Sequence, residues 1–128
     1  MMPDNAKLHH NYAHTLTSEP AMKHAAEFHF REAIRIYPPY GSAYINLGVQ
    51  YANGGRLEDA VTTWREGLTQ WNKRPILGND PVVLAGNLGT ALANLGRPRE
   101  AEQYLKDCLR RDPRNSRCAS KLREVEGH

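Results

Sequence analysis

Residues 44–64, YINLGVQYANGGRLEDAVTTW, decide the fold. Tyr44, Leu47, Gly48 and Tyr51 recur at i, i+3, i+4 and i+7, the spacing that sets side chains on one face of a helix. Asn53-Gly54-Gly55 then stops that helix, because glycine and asparagine reach the left-handed C-cap conformation at little steric cost. Beyond the turn, Val61, Trp64, Leu68 and Trp71 form a second stripe with Ala60 beside it. The small Gly48 and Ala60 let two backbones approach closely, and Tyr51 and Trp64 fill the space beyond them. The stretch therefore predicts a helix hairpin.

The chain repeats it. Ala85, Leu88, Gly89 and Leu92 match Tyr44, Leu47, Gly48 and Tyr51, while Gly96, Ala101 and Leu105 match Gly55, Ala60 and Trp64. Twelve residues separate Gly48 from Ala60 and Gly89 from Ala101, and thirteen separate Ala13 from Ala26 in a more worn copy. Upstream, Leu8, Tyr12 and Leu16 lie at i, i+4 and i+8 of a helix over Lys7–Leu16, with His9 and Ala13 beside them. Thr17-Ser18-Glu19-Pro20 is expected to end it, with Ser18 as the next N-cap and Pro20 in the first turn. Ala26, Phe30, Ala33 and Ile34 face inward until Tyr37-Pro38-Pro39. Downstream, Ser116–Val125 reads as a last helix with Ala119, Leu122 and Val125 at spacing three.

Aromatic-x2-Leu-Gly-x2-Tyr followed by Ala-x3-aromatic resembles the tetratricopeptide repeat (TPR). That resemblance implies an all-α fold, a right-handed α-solenoid of three helix hairpins plus a C-terminal capping helix. The single domain over 1–128 would hold repeats at about 5–40, 41–74 and 82–114, a connector at 73–81 and a capping helix at about 115–126. Asn46 to Asn87 spans 41 residues, against about 34 for the repeat, so seven are inserted. Trp64, Leu68 and Trp71 place part of that insert in a longer second helix. Ile76 and Leu77 either fold back over Trp71 as a plug or stand exposed to a partner. Asp80-Pro81 marks the next helix start.

The resemblance also implies a binding scaffold whose first helices line a concave groove. Groove residues on that reading are His10, Asn11 and His14, then Asn46, Val49, Gln50 and Asn53, then Asn87, Thr90 and Asn94. Asn11, Asn46 and Asn87 occupy one register of the three repeats, although asparagine is a mediocre helix former. An amide both donates and accepts, so it can pair with the peptide groups of an extended chain whatever its side chains. This ladder is similar to that of the TPR superhelix of O-GlcNAc transferases; the alternative is an asparagine common in such repeats that points to water. Asn53 and Asn94 also suit C-capping. TPR domains that grip the C-terminal carboxylate of Hsp70 and Hsp90 tails place Lys and Arg where this chain has Val83 and Asn87, so no such clamp is expected.

Composition bounds the rest. With 128 residues, 40% hydrophobic and 24% charged, the chain is long enough for one core and is not compositionally disordered. No run suits a membrane helix or a signal peptide, so no membrane contact by this chain itself is expected. The net charge of +3 resides in residues 97–128, which carry nine Lys/Arg and six Asp/Glu. Interleaving of those signs suits a solvated helix surface more than a nucleic-acid site. His10 and His14, at i and i+4, have no third ligand placed by the sequence and read as a groove or surface pair. No metal, no cofactor and no catalytic constellation is expected, and the chain is not read as an enzyme. Cys108 and Cys118 read as two small buried residues, with a disulfide open only to an oxidising compartment.

NAKLHHNYA (5–13) and FREAIRIYPPYGSAYINLG (30–48) also look like repeats of the transmembrane-and-TPR family of endoplasmic-reticulum O-mannosyltransferases. That resemblance implies a lumenal tail that docks acceptor proteins, with catalysis in a membrane part outside this sequence, and makes a disulfide more plausible. The competing reading is a cytoplasmic adaptor with reduced cysteines. A third reading, a structural or oligomerisation module, would use the insert at 73–81.

Overall fold

Helix formation here follows the stripes, and packing follows the small residues within them. The computed structural model describes residues 2–74 and 80–127. Its elements are α1 (Asp4–Leu16), a 3₁₀ turn (Pro20–Met22), α2 (Lys23–Ile36), α3 (Gly41–Asn53), α4 (Leu57–Lys73), α5 (Asp80–Asn94), α6 (Pro98–Arg111) and α7 (Ser116–Glu126). No strand occurs among the described residues. α1 packs on α2, α3 on α4 and α5 on α6, and each hairpin leans on the next through α2–α3 and α4–α5. α7 closes the far end against α5 and α6. The architecture is an all-α solenoid of helix hairpins.

Close approach governs each pair. A Cβ built on Gly48 would collide with the Trp64 indole, and one on Gly89 would meet Leu105. Trp64 is buried, and its Nε1–H donates to the Ile45 carbonyl at 3.2 Å, so the ring fills the space without orphaning its one polar atom. Ala13, Ala26, Ala60 and Ala101 are wholly buried at the corresponding places. The α3 and α5 ends share one device: Gly55 (φ 78°) and Gly96 (φ 77°) supply the left-handed residue. Arg56 N–H then donates to the Tyr51 carbonyl at 2.8 Å, as Arg97 N–H does to Leu92 at 2.9 Å. Asn53 and Asn94 stay in the last helical turn, so glycine alone performs the capping that the sequence divided between the two residue types.

The two arginines also tie the turns to the hairpin before. Arg56 reaches Asp59 at 2.8 Å and Glu27 of α2 at 3.5 Å, and Arg97 reaches Glu100 at 2.6 Å and Glu58 of α4 at 3.3 Å. All are solvent-accessible, so screening leaves each a weak contributor to stability. Their value is orientation.

Several expectations change. α1 begins at Asp4, three residues before Lys7. Ser18 is no N-cap: its hydroxyl donates to the Thr15 carbonyl at 3.1 Å, and the following 3₁₀ turn starts after Glu19 with no side-chain cap. Leu8 and Tyr12 are exposed, at 66% and 51%, because no described helix lies against that side of α1. α4 has 17 residues against 14 in α6, and its extra turn buries Trp71, as the insert implied. Ile76 and Leu77 lie outside the described residues. Asn115, unremarked in the sequence, caps α7 through Cys118 N–H at 2.9 Å.

Cys108 and Cys118 are joined in a disulfide, correcting the reading of two separate buried thiols. α6 and α7 bring their Cα atoms to 6.5 Å, within bridging range. Gly86 of α5 abuts the bridge, where a Cβ would stand 3.1 Å from the Cys118 sulfur, so three helices meet there. The chain closes a short loop, ten residues in separation, for which loop-closure entropy gives about 2–3 kcal/mol.

Two outcomes follow from the packing. Gly48→Ala should lower the unfolding free energy by about 1–3 kcal/mol through overpacking against Trp64, read from urea midpoints at constant slope. Cys108→Ser with Cys118→Ser should cost about 2–3 kcal/mol in the same assay.

Candidate functional site

The first helices α1, α3 and α5 carry the side that the repeat resemblance makes concave, and one cleft lies where α1 ends against α3. His14 and Thr17 form one wall; Asn46, Val49, Gln50 and Asn53 form the other. The space they enclose is about 190 Å³, open on one side. Asn46, Val49, Gln50 and Asn53 converge because they sit at i, i+3, i+4 and i+7 of α3, the face opposite Gly48 and Trp64. Val49 is 39% exposed, an apolar patch among amides.

His10 supports this wall from below. Its ring lies 4.9 Å from Tyr40 and 5.8 Å from Phe30, centroid to centroid, and stacks on His14 at 6.4 Å. Asn46 Nδ2 lies 2.9 Å from His10 Nε2. With the amide nitrogen donating, the ring accepts at Nε2. Burial pushes the His10 pKa below the ordinary imidazole value, and His14 adds to this. Nδ1 is buried without a hydrogen-bond partner. The pairing leaves Asn46 Oδ1 as the amide's acceptor.

Gln50 is oriented in the same way. Its Nε2 donates to the Lys23 carbonyl at 2.8 Å, at the start of α2, and its Oε1 is buried without a partner. Below it, the Tyr51 hydroxyl donates to Glu27 at 2.5 Å and accepts from Arg31 at 2.9 Å, while Arg56 lies 4.5 Å over the ring. This network holds α2 to α3 beside the cleft.

The three register-matched asparagines do not share one environment. Asn11 is exposed on α1, Asn46 is half-buried and paired with His10, and Asn87 is 8% exposed on α5. Thr90 is half-buried, and Asn94 accepts from Lys121 of α7 at 3.2 Å. α7 thus occupies the concave side of the last hairpin, where Gly86 takes the register of His10 and faces the disulfide. Sequence reasoning missed Thr17, three residues past His14 and assigned to a turn, and Tyr40, hidden in the Pro-Pro-Tyr connector.

His10 and His14 are not brought to a third ligand; among the described residues no group of three metal-capable side chains occurs. Among the described residues no helix is long and apolar enough to cross a membrane. At the basic end, Lys106 pairs with Glu102, Arg110 and Arg111 with Asp107, and Lys121 with Glu124.

Residues 41–66 and residues 84–111 each match a family model described as tetratricopeptide repeat. Over 47 residues the chain is 45% identical to the protein O-mannosyl-transferase TMTC1 of Homo sapiens, a stretch that is 37% of this chain and 5% of that protein. The chain therefore matches only a small part of that relative's length. Among solved structures it superposes on the N-terminal domain of stress-induced protein-1 (STI-1) from C. elegans with a TM-score of 0.87 and 17% identity, covering 98% of this chain and 97% of that one. The first TPR of Spaghetti (RPAP3), bound to the HSP90 peptide SRMEEVD, gives 0.80 and 13%, covering 97% and 92%. At these identities the likeness is one of fold.

The His10 arrangement predicts a pH effect. A histidine whose folded pKa is depressed gives the unfolded chain the greater proton affinity, so its contribution to stability is complete above about pH 6.5 and is lost as pH falls below that value. His29, also depressed by burial and by His9, acts in the same window. The urea midpoint should fall between pH 7.5 and pH 5.5, and His10→Gln should remove part of that fall.

Proposed function

We propose that this all-α solenoid, two stretches of which match tetratricopeptide-repeat models, binds an extended peptide through main-chain hydrogen bonds in the cleft between α1 and α3. The observation that carries this reading is the convergence of three carboxamides, Asn46, Gln50 and Asn53, on one cleft. Asn46 is held against His10 and Gln50 against the Lys23 carbonyl, so both side chains are fixed in place at the wall. Pre-oriented amides recognise peptide groups at a low ordering cost. Val49 offers an apolar seat for one side chain of the ligand. None of the six lining residues is Lys or Arg, which supports recognition along the backbone rather than of a terminal carboxylate. The solved neighbour that holds an HSP90 peptide supports a peptide as the ligand class.

A second reading deepens the first: the chain serves as the substrate-docking part of a membrane O-mannosyltransferase in the endoplasmic reticulum. The 45% identity over 47 residues and the disulfide, a bond of oxidising compartments, favour it. Thiol labelling of the protein recovered from cells tests the compartment: no free thiol is the expected result, and two labelled cysteines would count against a lumenal site.

The binding reading is tested with a library of unstructured peptides of mixed sequence. Asn46→Ala with Gln50→Ala should weaken the tightest binder by about tenfold or more, at roughly 1 kcal/mol for each hydrogen bond lost. Circular dichroism should show the helices retained. Asn87→Ala makes a poor partner mutation, because that side chain is nearly buried. Equal affinity of the double variant and the parent would overturn the assignment of the cleft.

A further inference from the structure

The cleft wall contains one hydrogen bond whose polarity a proton can reverse. Asn46 of α3 lines the cleft, and its Nδ2 lies 2.9 Å from His10 Nε2 of α1. With the amide nitrogen on the ring, Oδ1 is the amide atom left for a ligand. The ring is held by Tyr40 and Phe30, at 4.9 and 5.8 Å between centroids, and stacks on His14 at 6.4 Å. A ring that accepts at Nε2 needs the amide nitrogen opposite it. A protonated ring donates from both nitrogens and needs the amide oxygen there instead. The two ends of a carboxamide are nearly alike in shape, and its last torsion is broad and roughly two-fold. A half-turn of that one bond therefore exchanges them with both helices in place. Asn87, the next asparagine in this register, lacks the device. Counting from Ala13 and Gly48, Ile45 holds the place of His10 in the following repeat.

We propose that His10 sets the hydrogen-bond polarity of the cleft through Asn46: a neutral ring turns the amide oxygen to the ligand, and a protonated ring turns the amide nitrogen to it. The inference rests on the peptide reading of the cleft and adds its regulation. His10 is a positioning residue here, since it stands outside the six residues that line the cleft. A ligand N–H paired with Oδ1 would meet an amide N–H after protonation, donor against donor. Peptide capture therefore weakens as pH falls. No carboxylate faces the ring to offset the change. α1 presents Asn11 and His14, α2 presents Phe30, the connector presents Tyr40, and α3 presents Asn46 and the Ser42 main chain. Burial and the neighbouring His14 lower the His10 pKa more than Asn11 and Ser42 raise it. The turn thus lies below about pH 6.5, the ordinary imidazole value.

Two measurements on the intact chain test the proposal. The first, nitrogen NMR of His10 and of the Asn46 side chain, needs no ligand. The expected result is an unprotonated Nε2 at pH 7.5 and Asn46 amide signals that move together with the His10 titration. The second reads peptide affinity at pH 7.5 and pH 5.5. Its probe is the tightest library binder that lacks His, Asp and Glu, capped at both ends so that only the protein titrates. Affinity should fall at least about tenfold in the parent and in His14→Gln, and less than about twofold in His10→Gln, whose amide does not titrate. Circular dichroism at both pH values should show the helices retained in every chain. A proton on Nε2 at pH 7.5, Asn46 signals indifferent to His10, or a fall that survives His10→Gln would overturn the proposal. If no peptide binds at either pH, the reading of the cleft fails, and the NMR measurement alone decides whether His10 turns the amide.

Discussion

Each hairpin of this solenoid depends on two backbones coming together at one pair of small residues. At Gly48 the helices approach so closely that the Trp64 indole occupies the place of a Cβ, and at Gly89 Leu105 does the same. That approach fixes which face of α3 and α5 is spent on packing, and so which face remains for the concave side. Asn46, Val49, Gln50 and Asn53 form a cleft wall because Leu47, Gly48 and Tyr51 are committed to the core. Position in the cleft is set by the fold; chemistry there is set by four residues that packing left free.

The hairpins were legible in the sequence because their determinants are local and recur. Small residues twelve apart, glycines after each first helix and stripes at helical spacing all act within about 30 residues, and each copy corroborates the next. End effects were not legible. A periodic pattern describes an interior repeat, so it put Leu8 and Tyr12 in a core that the first hairpin does not possess. It also could not foresee that α7 would cover the concave side of the last hairpin and engage Asn94.

The asparagines illustrate the same limit within the site. Asn11, Asn46 and Asn87 share a register but differ in neighbours: solvent, His10, and a nearly closed interior. Their environments derive from the helix before and the helix after, which differ along the chain. What tells Asn46 apart is His10, 36 residues earlier, acting through one hydrogen bond. The disulfide was similarly out of reach, since spacing alone left Cys108 and Cys118 free to be either thiols or a bridge.

The bridge between α6 and α7 gives the solenoid a direction. It anchors one end covalently, with Gly86 of α5 packed on the sulfur, while α1 at the other end has one helical neighbour, α2, along most of its length. In a quasi-linear array, local opening spreads between neighbours from the least secured terminus. Local opening of α1 alone parts His14 and Thr17 from α3. One wall of the cleft thus belongs to a helix with one main neighbour and the other to a helix packed on three. A ligand held between them would act as a clasp, ordering α1 as it binds.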